Sequence, residues 1–161
     1  MDSAQLTHIL KKDQYIKPHF VTVCAHNHLE RHILQTFHNG RRHTAAIVFN
    51  LDPSHLPGSH WVAVYLDFNG HAEYFDSTGL PPDPACCQLL RRVCPRIPIK
   101  KNTVALQDRT QVCGQFCVAF LKLRCRGYSF DDTIHQLNFK DNDRAVYDLV
   151  KSSIPNLPFT M

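Results

Sequence analysis

Apolar positions repeat along this chain with two different periods. Leu6, Ile9 and Leu10 share one helical face near the amino end, and Lys11-Lys12 suit the end of that helix, where cations meet the negative pole of the dipole. Residues 44–51 (Thr-Ala-Ala-Ile-Val-Phe-Asn-Leu) and 60–68 (His-Trp-Val-Ala-Val-Tyr-Leu-Asp-Phe) instead carry apolar side chains on both faces, as strands covered on each side do. Asn69-Gly70 is a strong turn signal, so His71–Asp76 is expected to return as an antiparallel strand. In the helix that follows, Asp83 can cap, Pro84 suits the first turn, and Cys86, Leu89, Leu90 and Val93 fall at i, i+3, i+4 and i+7 before Pro95 stops it. Short strands are expected at Ile97–Ile99 and Thr103–Leu106. Residues 114–124 are apolar almost all round, which describes a buried helix. Ser129 with Asp132 resembles a capping pair for another helix, and Arg144–Lys151 reads as a last one. Strands in the middle and helices at both ends predict an α+β fold.

Composition narrows the class without naming a function. With 161 residues and no repeat, low-complexity tract or linker, 1–161 reads as a single domain long enough to bury a core. The longest apolar runs, near Val62–Val64 and Phe116–Leu121, are too short to span a membrane. No charged segment followed by an apolar stretch opens the chain, so secretion is not expected. Seven cysteines are an odd number and lack any C-x-x-C, which favours reduced, mostly buried thiols in an intracellular protein over a disulfide scaffold. A net charge of +4 permits nucleic-acid contact without demonstrating it; Arg41-Arg42-His43 and Lys100-Lys101 are the basic spots to watch. His28 and His32 are four apart and His26 is close by, yet no carboxylate or cysteine completes a metal set, so no metal is expected. Asp131-Asp132 and Asp141/Asp143 read as helix-start acids.

Cys113 changes the picture. It opens the buried helix, where unpaired N–H groups and the dipole favour an anion, and a cysteine nucleophile works as its thiolate. Gly114 follows it and removes a side chain beside the sulfur, so that substrate and backbone N–H can approach. His60 would lower the thiol pKa further by charge pairing. His60 begins one strand and Asp76 ends the next, about two or three positions out of register, or roughly 7–10 Å along the strands. Side-chain length or a bulge could close that gap, letting Asp76 take one ring nitrogen of His60 and leave the other for Cys113. Gln107, six residues before Cys113, offers an uncharged amide donor suited to an oxyanion hole. Trp61 supplies a flat wall beside the base. Each residue alone is weak evidence; the ordered set is not.

That set resembles the adenovirus endopeptidase (adenain) family and, more distantly, the proteases that process SUMO-like modifiers. The resemblance runs through Gly58-Ser59-His60-Trp61-Val62-Ala63-Val64, Tyr74-Phe75-Asp76-Ser77-Thr78-Gly79, and Gln107 to Cys113-Gly114-Gln115-Phe116-Cys117. It implies a mixed sheet with the cysteine-bearing helix packed on it, Cys113 as nucleophile, His60 as base, Asp76 as its orienter and Gln107 as oxyanion donor. It also implies cleavage of viral structural precursors, in host nucleus or virion, at small Gly-rich sites that a cleft walled by Trp61 would favour. Adenovirus enzymes often carry Glu where Asp76 stands, whereas SUMO proteases usually have Asp where Val112 stands, which favours the viral side. A virus-like mobile element could carry the same kind of protease. The family further suggests an activating viral peptide tethered by a disulfide, for which Cys94 is the candidate, and stimulation by DNA at Arg41-Arg42 or Lys100-Lys101; the chemistry itself requires no cofactor. Cys117 could serve as a redox partner of Cys113, although a buried helix thiol is the simpler expectation. Removal of SUMO or ubiquitin-like modifiers is the alternative within the class. A non-hydrolytic binding relative is the alternative outside it.

Overall fold

The two strands read as covered on both faces lie at the centre of the sheet. In a computed structural model, which describes residues 1–56, 59–107, 111–138 and 142–151, β2 (Thr44–Asn50) pairs antiparallel with β3 (Trp61–Asp67), and β3 with β4 (His71–Phe75). Two parallel strands flank them, β1 (Phe20–Ala25) beside β2 and β5 (Arg96–Lys101) beside β4, so the five strands lie in chain order in one mixed sheet.

Alternation along the central strands divides the core in two, because successive side chains of a strand point to opposite faces. Ala46, Val48, Ala63 and Phe75 face α1 (Ser3–Lys12), α4 (Cys113–Cys125), α5 (Phe130–Gln136) and α6 (Asn142–Lys151). Ala45, Ile47, Phe49, Val62, Val64 and Leu66 face α2 (Leu29–Asn39) and α3 (Pro84–Val93). Helix α4 has buried residues from Gly114 to Leu121, as its unbroken apolar sequence requires. Phe120 stacks on Phe75 of β4 with ring centroids 4.6 Å apart, and its truncation to Ala would cost about 3–5 kcal/mol. Arg124, from the last turn of α4, grips Glu73 of β4 through Nε and Nη2 at 2.6 Å each, fixing the helix along the sheet.

Three differences from the sequence reading have physical causes. β1 and α2 precede the expected central strands, so strand and helix alternate earlier than anticipated. Every residue of β1 is half-buried, which erases the alternation that marks a strand. For α2 the signal was present: Leu29, Ile33 and Phe37 recur every four residues, and Gly40 closes the helix at φ +68°. Residues 103–106 form no strand. The N–H groups of Leu106 and Gln107 instead both reach the Ser77 carbonyl, at 2.8 and 2.9 Å, and Val104 is left exposed.

The expected caps are in place. Asp83 Oδ1 accepts from the Cys86 N–H at 2.7 Å, and Ser129 Oγ accepts from the Asp132 N–H at 3.0 Å. Asp131, Asp132 and Asp143 occupy first helical turns, while Asp141 lies outside the described residues. Among the described residues no helix is long and apolar enough to cross a membrane.

Candidate active site

Backbone bonds hold His60 at the entry to β3. The Leu51 N–H bonds to the His60 carbonyl at 3.0 Å, and the buried Asn50 accepts at Oδ1 from the Asp52 and Ser59 N–H groups at 2.9 and 3.2 Å. The β3–β4 ladder pairs Ala63 with Phe75 and carries no bulge, so Asp76 falls opposite Val62, two residues from His60. Side-chain length closes the gap: His60 Nε2 lies 2.7 Å from Asp76 Oδ1. The same oxygen accepts from the Thr78 N–H at 2.8 Å and the Thr78 hydroxyl at 2.6 Å. Buried Asn102 clamps the Asp76 backbone from the other side, accepting from its N–H at 3.1 Å and donating to its carbonyl at 2.5 Å. Asp76 is only 1% exposed. Burial opposes its ionisation, but the bonds from His60 and Thr78 win and hold its carboxyl below the usual range.

With Nε2 engaged by Asp76, the other ring nitrogen of His60 is the one left to bond Cys113. Burial disfavours the imidazolium; the Asp76 bond, the Cys113 bond and the charges of both outweigh it and raise the His60 pKa to about 9. For Cys113, burial pushes the thiol pKa up, while His60 and the N–H groups of Trp61 and Gly114 pull it down to a net lowering. The Trp61 N–H stands 3.5 Å from Sγ. Sulfur, imidazole and carboxylate form one line, and the two shifts favour a thiolate–imidazolium pair between the lowered thiol pKa and about 9.

An open cleft of about 920 Å³ exposes this line to solvent. Cys113, His60, Trp61 and Gln107 all lie on its wall. The Gln107 side-chain carbonyl Oε1 accepts from the Ser77 hydroxyl at 2.6 Å. Trp61 is held by its indole N–H, which donates to the Met1 carbonyl at 3.0 Å. A Cβ at Gly114 would meet Met1 Cβ at 3.2 Å and Leu6 Cδ2 at 3.5 Å, so Met1 and α1 pack closely on this glycine. Its contribution to the site is its N–H, directed at the sulfur.

The residues missed by sequence reading are the supporting ones: Met1, Asn50, Ser77, Thr78 and Asn102. Asp76-Ser77-Thr78-Gly79 did carry a signal, since an Asp that bonds the N–H two residues on is an Asx turn. Asn102 had none, because its partners lie twenty-six residues away.

Other candidates fall elsewhere. Cys94 is 1% exposed at the end of α3, its thiol pushed up to about 12 by burial, so a disulfide there requires that end of α3 to open. Cys117 is fully buried, one turn inside α4, with its thiol raised far above the ordinary value. Lys100-Lys101 lie on the edge strand β5, where lysines discourage further strand pairing, and Arg42 is tied to the Phe20 carbonyl at 3.0 Å. His28 and His32 line the cleft but His26 turns to Asp83, at 3.1 Å; among the described residues no three His, Cys, Asp or Glu side chains could hold a metal.

A five-stranded mixed sheet whose central hairpin presents His and Asp to a cysteine at the start of a buried helix defines a class. That fold is shared with solved cysteine proteases of viral and SUMO-processing kinds. Over 115 residues, 65% of the chain, it is 27% identical to a cysteine protease of African swine fever virus (isolate Tick/Malawi/Lil 20-1/1983), spanning 41% of that protein. It is 30% identical over 106 residues, 60% of the chain, to a protein of Acanthamoeba polyphaga mimivirus named as a thiol protease, spanning 35% of it. The chain thus spans less than half the length of these curated relatives. A crystal structure of the swine fever virus protease superposes with a TM-score of 0.57 at 21% identity, covering 89% of this chain and 64% of that one. The SUMO protease Ulp1 superposes with a TM-score of 0.53 at 12% identity, covering 95% and 78%. No protein-family profile matches the chain.

Proposed function

We propose that the chain is a cysteine endopeptidase of viral or virus-like type, acting on structural precursor polypeptides at sites flanked by small residues such as Gly. The observation that carries this reading is His60, bonded through Nε2 to a buried carboxylate and also to the Cys113 thiol at the start of α4. Cys113 Sγ attacks the scissile carbonyl carbon, and negative charge collects on its oxygen. The Gln107 amide, on the same cleft wall, supplies a donor for that oxygen. The C–N bond breaks as His60 gives its proton to the leaving amine, leaving a thioester on Cys113. His60, now neutral, takes a proton from water, which attacks the thioester; thiolate and acid product separate and the imidazolium is restored. Asp76 keeps the ring in one tautomer and orientation throughout. A cleft narrowed by Trp61 beside the sulfur suits a Gly-sized residue there.

A second reading has one specific support: a relative from another African swine fever virus isolate, 26% identical, is named a SUMO-1 cysteine protease. Cleavage assays separate the two. Internal Gly-Gly peptides cut by wild type and spared by Cys113→Ala support the endopeptidase. Activity confined to modifier–amide reporters selects deconjugation, and cleavage that survives Cys113→Ala removes both.

A further inference from the structure

The carboxylate that orients the base is followed at once by a residue that grips the amide donor. Ser77 is fully buried beside Asp76. Its carbonyl accepts from the N–H groups of Leu106 and Gln107 at 2.8 and 2.9 Å, and its hydroxyl donates to Gln107 Oε1 at 2.6 Å. Ser77 therefore bonds Gln107 at both backbone and side chain. An amide whose oxygen is taken on one side presents its –NH₂ on the other, and Gln107 lines the cleft with Cys113.

We infer that Ser77 is a positioning residue: it fixes the Gln107 side chain so that the –NH₂, and not the carbonyl oxygen, faces the substrate oxyanion. The inference rests on the endopeptidase reading. A freely turning amide would point its acceptor at the developing negative charge for part of the time, which repels where the –NH₂ attracts. Preorganised donors act because they need no reorientation at the moment of reaction. The dipeptide Asp76-Ser77 then sets both halves of the site from one rigid turn. Asp76 acts through His60 on the proton, and Ser77 acts through Gln107 on the oxygen.

The test is a double-mutant cycle on peptide cleavage, with Cys113 alkylation as a second readout. Ser77→Ala is expected to lower kcat about 10-fold, a fraction of the loss on removing the donor outright, with KM within about 2-fold. In a Gln107→Ala background, Ser77→Ala should cost nothing further, because a residue acting only through Gln107 has nothing left to position. Alkylation of Cys113 should keep its wild-type rate and pH profile in Ser77→Ala, in Gln107→Ala and in their combination. Gln107→Glu, which keeps an oxygen for Ser77 and loses the –NH₂, should fall as far as Gln107→Ala, and it tests the same orientation even if Ser77→Ala does not fold. An unchanged kcat in Ser77→Ala, an additive loss in the double variant, slowed alkylation in Ser77→Ala, or wild-type turnover by Gln107→Glu would each overturn the assignment. Cleavage that persists in Cys113→Ala would instead overturn the endopeptidase reading, so the two failures are told apart.

Discussion

The two ends of α4 carry one thiol each, and the helix treats them oppositely. Cys113, in the first turn, meets the N–H groups of Trp61 and Gly114 and the imidazole of His60, and its pKa falls despite burial. Cys125, in the last turn, is pushed up to about 12, chiefly by burial, with Asp13 and Glu73 adding to the rise. Arg124 and Arg126 stand beside Cys125 and lower its pKa only in part, each already committed to an acid: Arg124 to Glu73, and Arg126 to Asp13 at 2.8 Å. Cationic neighbours alone do not make a reactive cysteine. N–H donors from a helix start and a neighbouring strand, with an imidazole bonded to the sulfur, do.

The largest effect expected from breaking this contrast is that of Cys113→Ala, which should abolish peptide cleavage while Cys125→Ser changes kcat less than about 2-fold, as suits a thiol far from the cleft. Thermal melts of both variants check that the fold survives. Next, Gln107→Ala should lower kcat by about 10²–10³, the usual cost of one oxyanion donor, without slowing iodoacetamide labelling of Cys113. His60→Ala should make the two ends of α4 alike. At pH 5–6, Cys113 labels fast in wild type and should fall to the rate of Cys125 in the variant, as read by mass spectrometry on each cysteine. Equal labelling of the two thiols in wild type would defeat the ion-pair assignment.

The smallest effect is the pH dependence. Turnover should decline above about pH 9 as His60 loses the proton it gives to the leaving amine, while alkylation, which needs only the thiolate, should not decline there. Stability follows by linkage. The raised His60 pKa contributes stability that is fully present below 6.5 and lost as pH rises through about 9. The depressed Asp76 pKa contributes stability that is present above 3.8 and lost as pH falls through its lower folded value. Melting temperature should therefore be highest between about pH 4 and 6.5, decline as pH rises from 6.5 to about 9, and fall again in acid. A melting temperature that rises between pH 7 and 10 would contradict the His60 shift.

Sequence reading located the parts of this protein whose signals are local. The runs of β2 and β3 apolar on both faces, the Asn69-Gly70 turn and the Asp83 and Ser129 caps are all short-range, and all are present. His60 and Asp76 were legible because a hairpin converts sequence order into proximity, and the two-residue offset proved short enough for side chains to span. β1 was hidden because a half-buried edge strand shows no pattern. The support of the site was hidden for a different reason. Asn102 on Asp76, Ser77 on Gln107 and Met1 on Trp61 are polar contacts between segments that no periodicity links. The packing of Met1 and Leu6 against Gly114 was hidden in the same way.

The Met1 contact has a practical consequence. Met1 lines the cleft and its carbonyl holds the Trp61 indole, so any polypeptide joined ahead of it emerges within reach of the Cys113 sulfur. A short flexible leash there would present its own peptide bonds to the cleft at an effective concentration on the order of millimolar, above what most added substrates reach in an assay. A fusion partner attached at the amino end would thus be a built-in competitor, and under the proposed specificity a leash containing Gly-Gly would be a self-reporting substrate.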